Sequence, residues 1–202
     1  MFRSRSLTVF LAACLLARTA CPAAPTLSSE EQDVIEAALR QSKNVTAAKK
    51  HVVSAIPAHG EEKARYEKFA ADLREQAKGE DVSLQEAVED FLSKDKDQTE
   101  LVFPRPLPSK IKVLTRAREK EITSNGAIDI RYAVQRGFPG SVGLIQISRP
   151  GFARDHHTAI IYVSETTGTM SGSGSFHVLK QEKGKWHIDK DRHIGPMWLA
   201  AR

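Results

Sequence analysis

Cysteine is almost absent from this 202-residue chain, whose two cysteines are Cys14 and Cys21. Everything after Cys21 therefore offers no thiol nucleophile, no disulfide and no cysteine-ligated zinc site. Aromatic residues make up only 6% of the chain and are not interleaved with a stripe of basic residues, so we expect no nucleic-acid partner. The most apolar stretch, residues 7–17, is too short to cross a membrane comfortably.

Common catalytic motifs are also missing. The chain contains no His-Glu-x-x-His zinc motif, no phosphate-binding loop followed by a helix and no Gly-x-Ser-x-Gly nucleophile elbow. The histidines of the second half have no fixed ligand spacing, and we interpret them as surface and loop residues. They are His156, His157, His177, His187 and His193. The sequence thus predicts no catalytic residue, no metal and no cofactor, and it favours a protein that is not an enzyme.

The N-terminus has the pattern of a secretory signal. Two arginines precede the apolar stretch 7–17, and small residues follow it as far as Ala23. We predict a signal peptide over residues 1–23, and hence a protein that is secreted or placed in the periplasm or cell envelope. Two alternatives stay open: a lipoprotein anchored through Cys14, and an uncleaved signal anchor. Only these two alternatives predict contact with a membrane.

The net charge depends on the same segment. The whole chain carries a formal charge of +5, and removal of residues 1–23 takes away three arginines and no acid, which lowers it to +2. The basic balance is therefore partly a property of the signal and gives no argument for a nucleic-acid partner.

Helical patterns dominate the first half of the remaining chain. Ser28 with Glu31 forms a capping box that predicts a helix over residues 29–41. Apolar residues at helical spacing predict a second helix over residues 60–78. Ser83 with Glu86 is a second capping box and predicts the start of a third helix.

Strand patterns dominate the second half. The β-type runs, separated by turn residues, are 142–148, 159–164, 175–180 and 185–189. This order predicts a single α+β domain over residues 24–202, mainly helical at about 28–93 and mainly β at about 109–190. In it, N-terminal helices pack on one face of a C-terminal antiparallel β-meander. We expect Trp186, in the last of these runs, to close the core.

The last hairpin leaves one alternative open. A two-residue loop at Lys183-Gly184 would place His177 and His187 on opposite faces of the sheet, whereas a three-residue loop would place them on the same face.

A series of short motifs resembles a family of uncharacterised, mostly bacterial, predicted exported proteins. The motifs, in order, are Asp90-Phe91-Leu92, Phe138-Pro139-Gly140-Ser141, Gly143-Leu144-Ile145, Ser148-Arg149-Pro150-Gly151-Phe152, Ala159-Ile160-Ile161-Tyr162-Val163, Gly172-Ser173-Gly174 and Gly184-Lys185-Trp186. The resemblance covers about residues 84–198. Pro150 departs from it, because the family tends to have valine there. The resemblance implies export and a general architecture, and it supplies no activity and no catalytic residue.

The candidate ligand-binding residues are Ser148, Arg149 and Tyr162. An arginine near a tyrosine at a strand end could hold a carboxylate or a phosphate through two hydrogen bonds. The alternative is that Arg149 pairs internally with a carboxylate or with carbonyl groups of its own turn.

We therefore expect an exported structural or protein-interaction module whose partner is an envelope protein or a small ligand. One alternative is a small-molecule-binding domain with a pocket between helices and sheet. Its apolar walls would be Phe69, Phe91 and Leu144, with Arg149 or Tyr162 as the polar point. Another alternative is a hydrolase whose histidines and carboxylates come together only in three dimensions.

Overall fold

The computed structural model describes residues 26–41, 50–55, 63–96, 99–124, 130–166, 172–192 and 198–199. The predicted signal peptide lies outside these residues. The helices are α1 (Ser29–Gln41), α2 (Lys63–Ala77), α3 (Val82–Asp95), α4 (Arg116–Thr123) and α5 (Ile130–Gly137). The strands are β1 (Lys50–Ser54), β2 (Ile111–Leu114), β3 (Ser141–Ile147), β4 (Gly151–Phe152), β5 (Thr158–Thr166), β6 (Gly172–Glu182), β7 (Lys185–Ile188) and β8 (Trp198–Leu199). None of the helices in the described ranges is both long and apolar enough to cross a membrane.

The strands form one mixed sheet in the order β2-β1-β3-β5-β6-β7. Strand β1 is parallel to both β2 and β3, whereas the pairs β3–β5, β5–β6 and β6–β7 are antiparallel. The α+β class is confirmed, but the prediction of a purely antiparallel meander is wrong. Parallel strands need long crossover connections, and the chain provides them: α2 and α3 lie between β1 and β2, and α4 and α5 between β2 and β3.

Helices cover both faces of the sheet, which corrects the expectation that they would all pack on one face. Successive side chains of a strand point to opposite faces. In β5, Ile161 packs in one core cluster with Val34 and Ile35 of α1, whereas Ile160 packs in another with Phe91 of α3. The physical reason is the composition of β5, because residues 158–163 are buried without interruption and such a run needs cover on both sides.

The helix starts follow capping chemistry. At α1 the predicted capping box is confirmed: the Glu31 N–H donates to Ser28 Oγ at 3.0 Å, and the Ser28 N–H donates to Glu31 Oε2 at 2.7 Å. At α3 the predicted cap is wrong, because Asp81 is the N-cap and accepts from the Leu84 N–H at 3.0 Å. The Ser83 hydroxyl instead donates to Asp81 Oδ1 at 2.7 Å. An aspartate two residues before the serine fits the same role and starts the helix earlier.

The β6–β7 hairpin has a two-residue loop. Glu182 pairs with Lys185, and the loop residues Lys183 and Gly184 have φ angles of 50° and 73°. Positive φ at both positions is typical of the tight turn whose twist matches that of the strands. His187 pairs with Lys180, so it faces away from His177. The first of the two predicted hairpin geometries is therefore the one that forms.

Two glutamines of α1 hold extended backbone at either end of the helix. Gln32 accepts from the Arg105 N–H at 2.9 Å and donates to the Arg105 carbonyl at 3.0 Å, which fixes the position of this proline-flanked residue. Gln41 accepts from the Ile188 N–H at 2.9 Å and donates to the Trp186 carbonyl at 3.3 Å. Each side-chain amide thus offers its backbone partner both a donor and an acceptor.

Asp95 is a buried carboxylic acid near the end of α3, with 2% of its surface exposed. Burial raises its pKa from 3.8 to about 7, so the folded state holds the proton to a higher pH than the unfolded chain. The carboxyl group therefore lowers the stability of the fold progressively as the pH rises between these two values.

We expect Asp95→Asn to gain stability relative to the wild type by about 2 kcal/mol as the pH rises from about 5.5 to about 7.5. The reason is that asparagine has no charge to bury at either pH. Urea unfolding of both proteins at the two pH values measures the difference, and a difference that does not change with pH would contradict the raised pKa.

Candidate functional site

Arg149, the first of the predicted binding residues, makes a two-pronged contact with α1. Its Nε donates to Glu31 Oε1 at 2.8 Å and its NH2 donates to Glu31 Oε2 at 3.2 Å. The Glu31 side chain is almost fully buried, so the contact takes place out of water. Arg149 therefore makes an internal pairing of the kind considered in the sequence as the alternative to ligand binding.

A second cation and a second carboxylate extend this cluster. Lys94 Nζ lies 2.7 Å from Asp90 Oδ2 and 3.6 Å from Glu31 Oε1. Asp90 Oδ2 also accepts from the Phe152 N–H at 2.8 Å, and Lys94 lies 5.0 Å from the centre of the Phe152 ring. The cluster ties α1, α3 and β4 together.

The ionisation of Glu31 follows from these contacts. Burial is the largest single influence and raises its pKa, but the hydrogen bonds from Arg149 and Ser28, with the charges of Arg149 and Lys94, together lower the pKa below its usual value. Glu31 is therefore an anion at neutral pH, and its charge is matched by the two cations.

Ser148 and Tyr162 contact each other in the sheet, but within the described ranges neither side chain shares a contact with the Arg149 guanidinium. Ser148 is fully buried, and its Oγ accepts from the Tyr162 N–H at 2.9 Å. The Tyr162 ring packs against Phe176 at 5.1 Å between the centroids, in the cluster under α2 and α3. The Arg149 guanidinium and the Tyr162 ring thus contact different helices and do not form one site.

The predicted walls of a pocket between helices and sheet are tightly packed. The rings of Phe69 and Phe91 contact Phe176 at 5.6 and 5.5 Å between centroids. Leu144 belongs to a separate cluster under α4 and α5. These residues therefore fill the core where a ligand was expected.

An open groove instead runs over the outer side of α3, with α2 on one flank and the turn after β4 on the other. We call it the α3 groove; its volume is about 710 Å³. Its apolar lining comes chiefly from Val82, Val88 and Phe152. Val82 stands out, because 69% of its surface is exposed although it is aliphatic.

Charged side chains of both signs line the α3 groove. Arg74 of α2 donates to both carboxylate oxygens of Glu89 at 2.6 and 2.9 Å, and these hydrogen bonds help to lower the pKa of Glu89 despite partial burial. On the other flank, Arg154 Nε lies 3.3 Å from Glu86 Oε1, and the Arg154 N–H donates to Glu86 Oε2 at 3.1 Å. The groove is therefore an apolar strip between two flanks of nearly balanced charge.

At one end of this groove lies His156, one of the predicted loop histidines. Its Nδ1 lies 2.8 Å from Glu30 Oε2, its ring stacks on Phe152, and its φ angle is 56°. No group of three His, Cys, Asp or Glu side chains in the described ranges is arranged to hold a metal ion.

A buried histidine–carboxylate pair was not predicted from the sequence. His51 of β1 and Glu165 of β5 are both almost fully buried, with His51 Nδ1 4.0 Å from Glu165 Oε1. This distance is beyond the hydrogen-bond reach that a general base and its orienting carboxylate need. The two strands are not neighbours, since β3 lies between them, so no local pattern could have signalled the pair.

Comparison of the chain with protein-family models, with curated proteins and with solved structures finds no match.

Proposed function

We propose that the chain is an exported protein-interaction module, placed in the periplasm or envelope or secreted, and that the α3 groove is its contact surface for a partner polypeptide. The observation that carries the proposal is the exposed aliphatic side chain of Val82 in an open groove between charged flanks. Protein interfaces combine an apolar centre with a polar rim in this way.

The chemistry of the groove defines the partner segment. Val82 offers an anchor point for an apolar side chain, which would shield it from water. Arg154, with 90% of its side chain exposed, and Glu86 can each exchange their mutual contact for a partner charge. The partner is therefore an amphipathic segment, with an apolar anchor and charges of both signs beside it.

The argument for export comes from the sequence. A basic start, an apolar stretch and small residues precede the domain. The resemblance to exported proteins supports the same location.

A photo-crosslinking experiment tests the proposal in the cells that make the protein. With a photoreactive amino acid in place of Gln85 in the groove, we expect a discrete polypeptide adduct in the extracytoplasmic fraction. The matched control carries the same amino acid in place of Glu182, an exposed position on the β6–β7 hairpin, and should give no such adduct.

Adding Val82→Asp to the Gln85 variant should lower the adduct yield about tenfold, because it places a charge at the apolar centre of the contact. The substitution should leave the melting temperature nearly unchanged, since Val82 is exposed. The proposal fails if the groove position gives no adduct, or if both positions give the same adducts.

A further inference from the structure

Positive charge is concentrated in one part of the chain. Residues 110–140 contain seven Lys or Arg and three Asp or Glu, a net charge of +4. Residues 24–202 as a whole carry +2, so the remainder of that region carries −2. The excess of positive charge therefore belongs to β2, α4 and α5 and the loops between them.

These elements carry exposed cations on the side of the sheet that α4 and α5 cover. Arg116 and Lys120 lie one turn apart on α4, and Tyr132 and Arg136 lie one turn apart on α5. All four are exposed, as is Lys112 of β2, whose neighbour in the sheet, Val52, packs in the cluster under these helices. We call the surface made by these five residues the basic face.

The acids near α4 offset the basic face only in part. Glu121 pairs with Arg118, whose guanidinium also lies 5.8 Å from the Phe138 ring, and neither residue belongs to the face. Glu119 is half-buried. Glu100 Oε1 also accepts from the Arg116 backbone N–H at 3.3 Å, so one carboxylate lies beside the face. The four cations of the face still outnumber these three acids.

Tyr132 gives the basic face a second property. Its side chain is a large aromatic group one helix turn from Arg136, with 55% of its surface exposed. Tyrosine prefers the boundary between water and lipid, where the ring meets apolar groups and the hydroxyl stays hydrated.

We infer that the basic face docks against an anionic membrane surface. Clustered Lys and Arg side chains are attracted to anionic headgroups, and an exposed aromatic ring inserts at headgroup level. This contact is peripheral and requires neither a lipid anchor nor a membrane span. It uses residues other than those of the α3 groove and does not depend on that groove having a partner.

Vesicle sedimentation tests the inference on protein purified after expression of the full chain. The probes are vesicles of phosphatidylglycerol with phosphatidylcholine, and vesicles of phosphatidylcholine alone. We expect binding to the anionic vesicles at low salt, much weaker binding at high salt, and little binding to the neutral vesicles. Replacing Lys112, Arg116, Lys120 and Arg136 by glutamine should weaken binding about a hundredfold.

The control variant removes the same number of charges elsewhere, at the exposed residues Lys68, Lys96, Lys183 and Lys185. It should bind nearly as well as the wild type, and Tyr132→Ser should weaken binding without changing its salt dependence. Thermal melts of each variant establish that it is folded. Equal loss of binding in both charge variants, or no binding to anionic vesicles at low salt, would overturn the inference. So would binding to soluble polyglutamate without binding to vesicles, because the partner would then be an acidic polypeptide.

Discussion

Arg149→Met is expected to lower the free energy of unfolding by about 3–5 kcal/mol at neutral pH. The guanidinium is the main partner of the buried Glu31 carboxylate, with two hydrogen bonds of 2.8 and 3.2 Å. Without it, the partners of Glu31 within the described ranges are the Ser28 N–H and the more distant Lys94, and a buried charge with too few partners is strongly destabilising. Urea unfolding followed by circular dichroism measures the loss.

The pH dependence of this loss identifies its cause. In the wild type the pKa of Glu31 is lowered, so its contribution to stability is present above its usual pKa and is lost as the pH falls through the lowered value. In the variant, burial acts with less opposition and raises the pKa, so the deficit should shrink toward acidic pH as Glu31 becomes protonated.

The double variant Arg149→Met/Glu31→Gln is the matched control. It removes the Glu31 charge, which the single variant leaves buried without its main partner. The double variant should therefore recover more than half of the lost stability. If Arg149→Met instead costs less than about 1 kcal/mol, Glu31 does not depend on Arg149, and a role of Arg149 in ligand binding would gain support.

Trp186→Ala is expected to lower the free energy of unfolding by about 3–5 kcal/mol, as truncation of a large buried aromatic ring does. Only 6% of Trp186 is exposed, and its ring meets Phe152 edge to face at 5.8 Å in the cluster shared with α1. The missing ring would leave a cavity between α1 and the sheet, and the neighbouring side chains would fill it only in part.

Trp186→Phe is the control for this substitution, because it keeps an aromatic ring and leaves a smaller cavity. We expect it to cost less than half as much as the alanine variant. Thermal and urea unfolding of both variants provide the measurement. A loss below about 1 kcal/mol for Trp186→Ala would mean that the ring does not support the core.

The sequence predicted the elements whose signals are local. The Ser28–Glu31 capping box and strand β5 each depend on residues that are adjacent or nearly adjacent in the sequence, and both predictions were confirmed. The place of β1 could not be predicted, because a five-residue strand with only two apolar residues, Val52 and Val53, carries no mark of its neighbours in a sheet. Its parallel pairing with β2 and β3 depends on how two helical crossovers pack.

The same distinction applies to the candidate sites. Arg149 attracted attention because an arginine at a strand end is a local pattern, but its partner Glu31 lies 118 residues earlier in the chain. The α3 groove combines α2, α3 and the turn after β4, and no one of these segments has a binding motif. Both the Arg149–Glu31 pair and the α3 groove depend on which distant segments the fold brings together, and the residue types alone do not show this.

The amide of Gln41 has a consequence beyond the position of α1. Strand β7 is an edge strand of the sheet. Its outward-facing backbone N–H and C=O groups could otherwise pair with a strand from another molecule. By giving the Ile188 N–H an acceptor and the Trp186 carbonyl a donor, one side chain stands in for the missing neighbour strand. Gln41 thus blocks the pairing of this edge strand with a strand of another molecule.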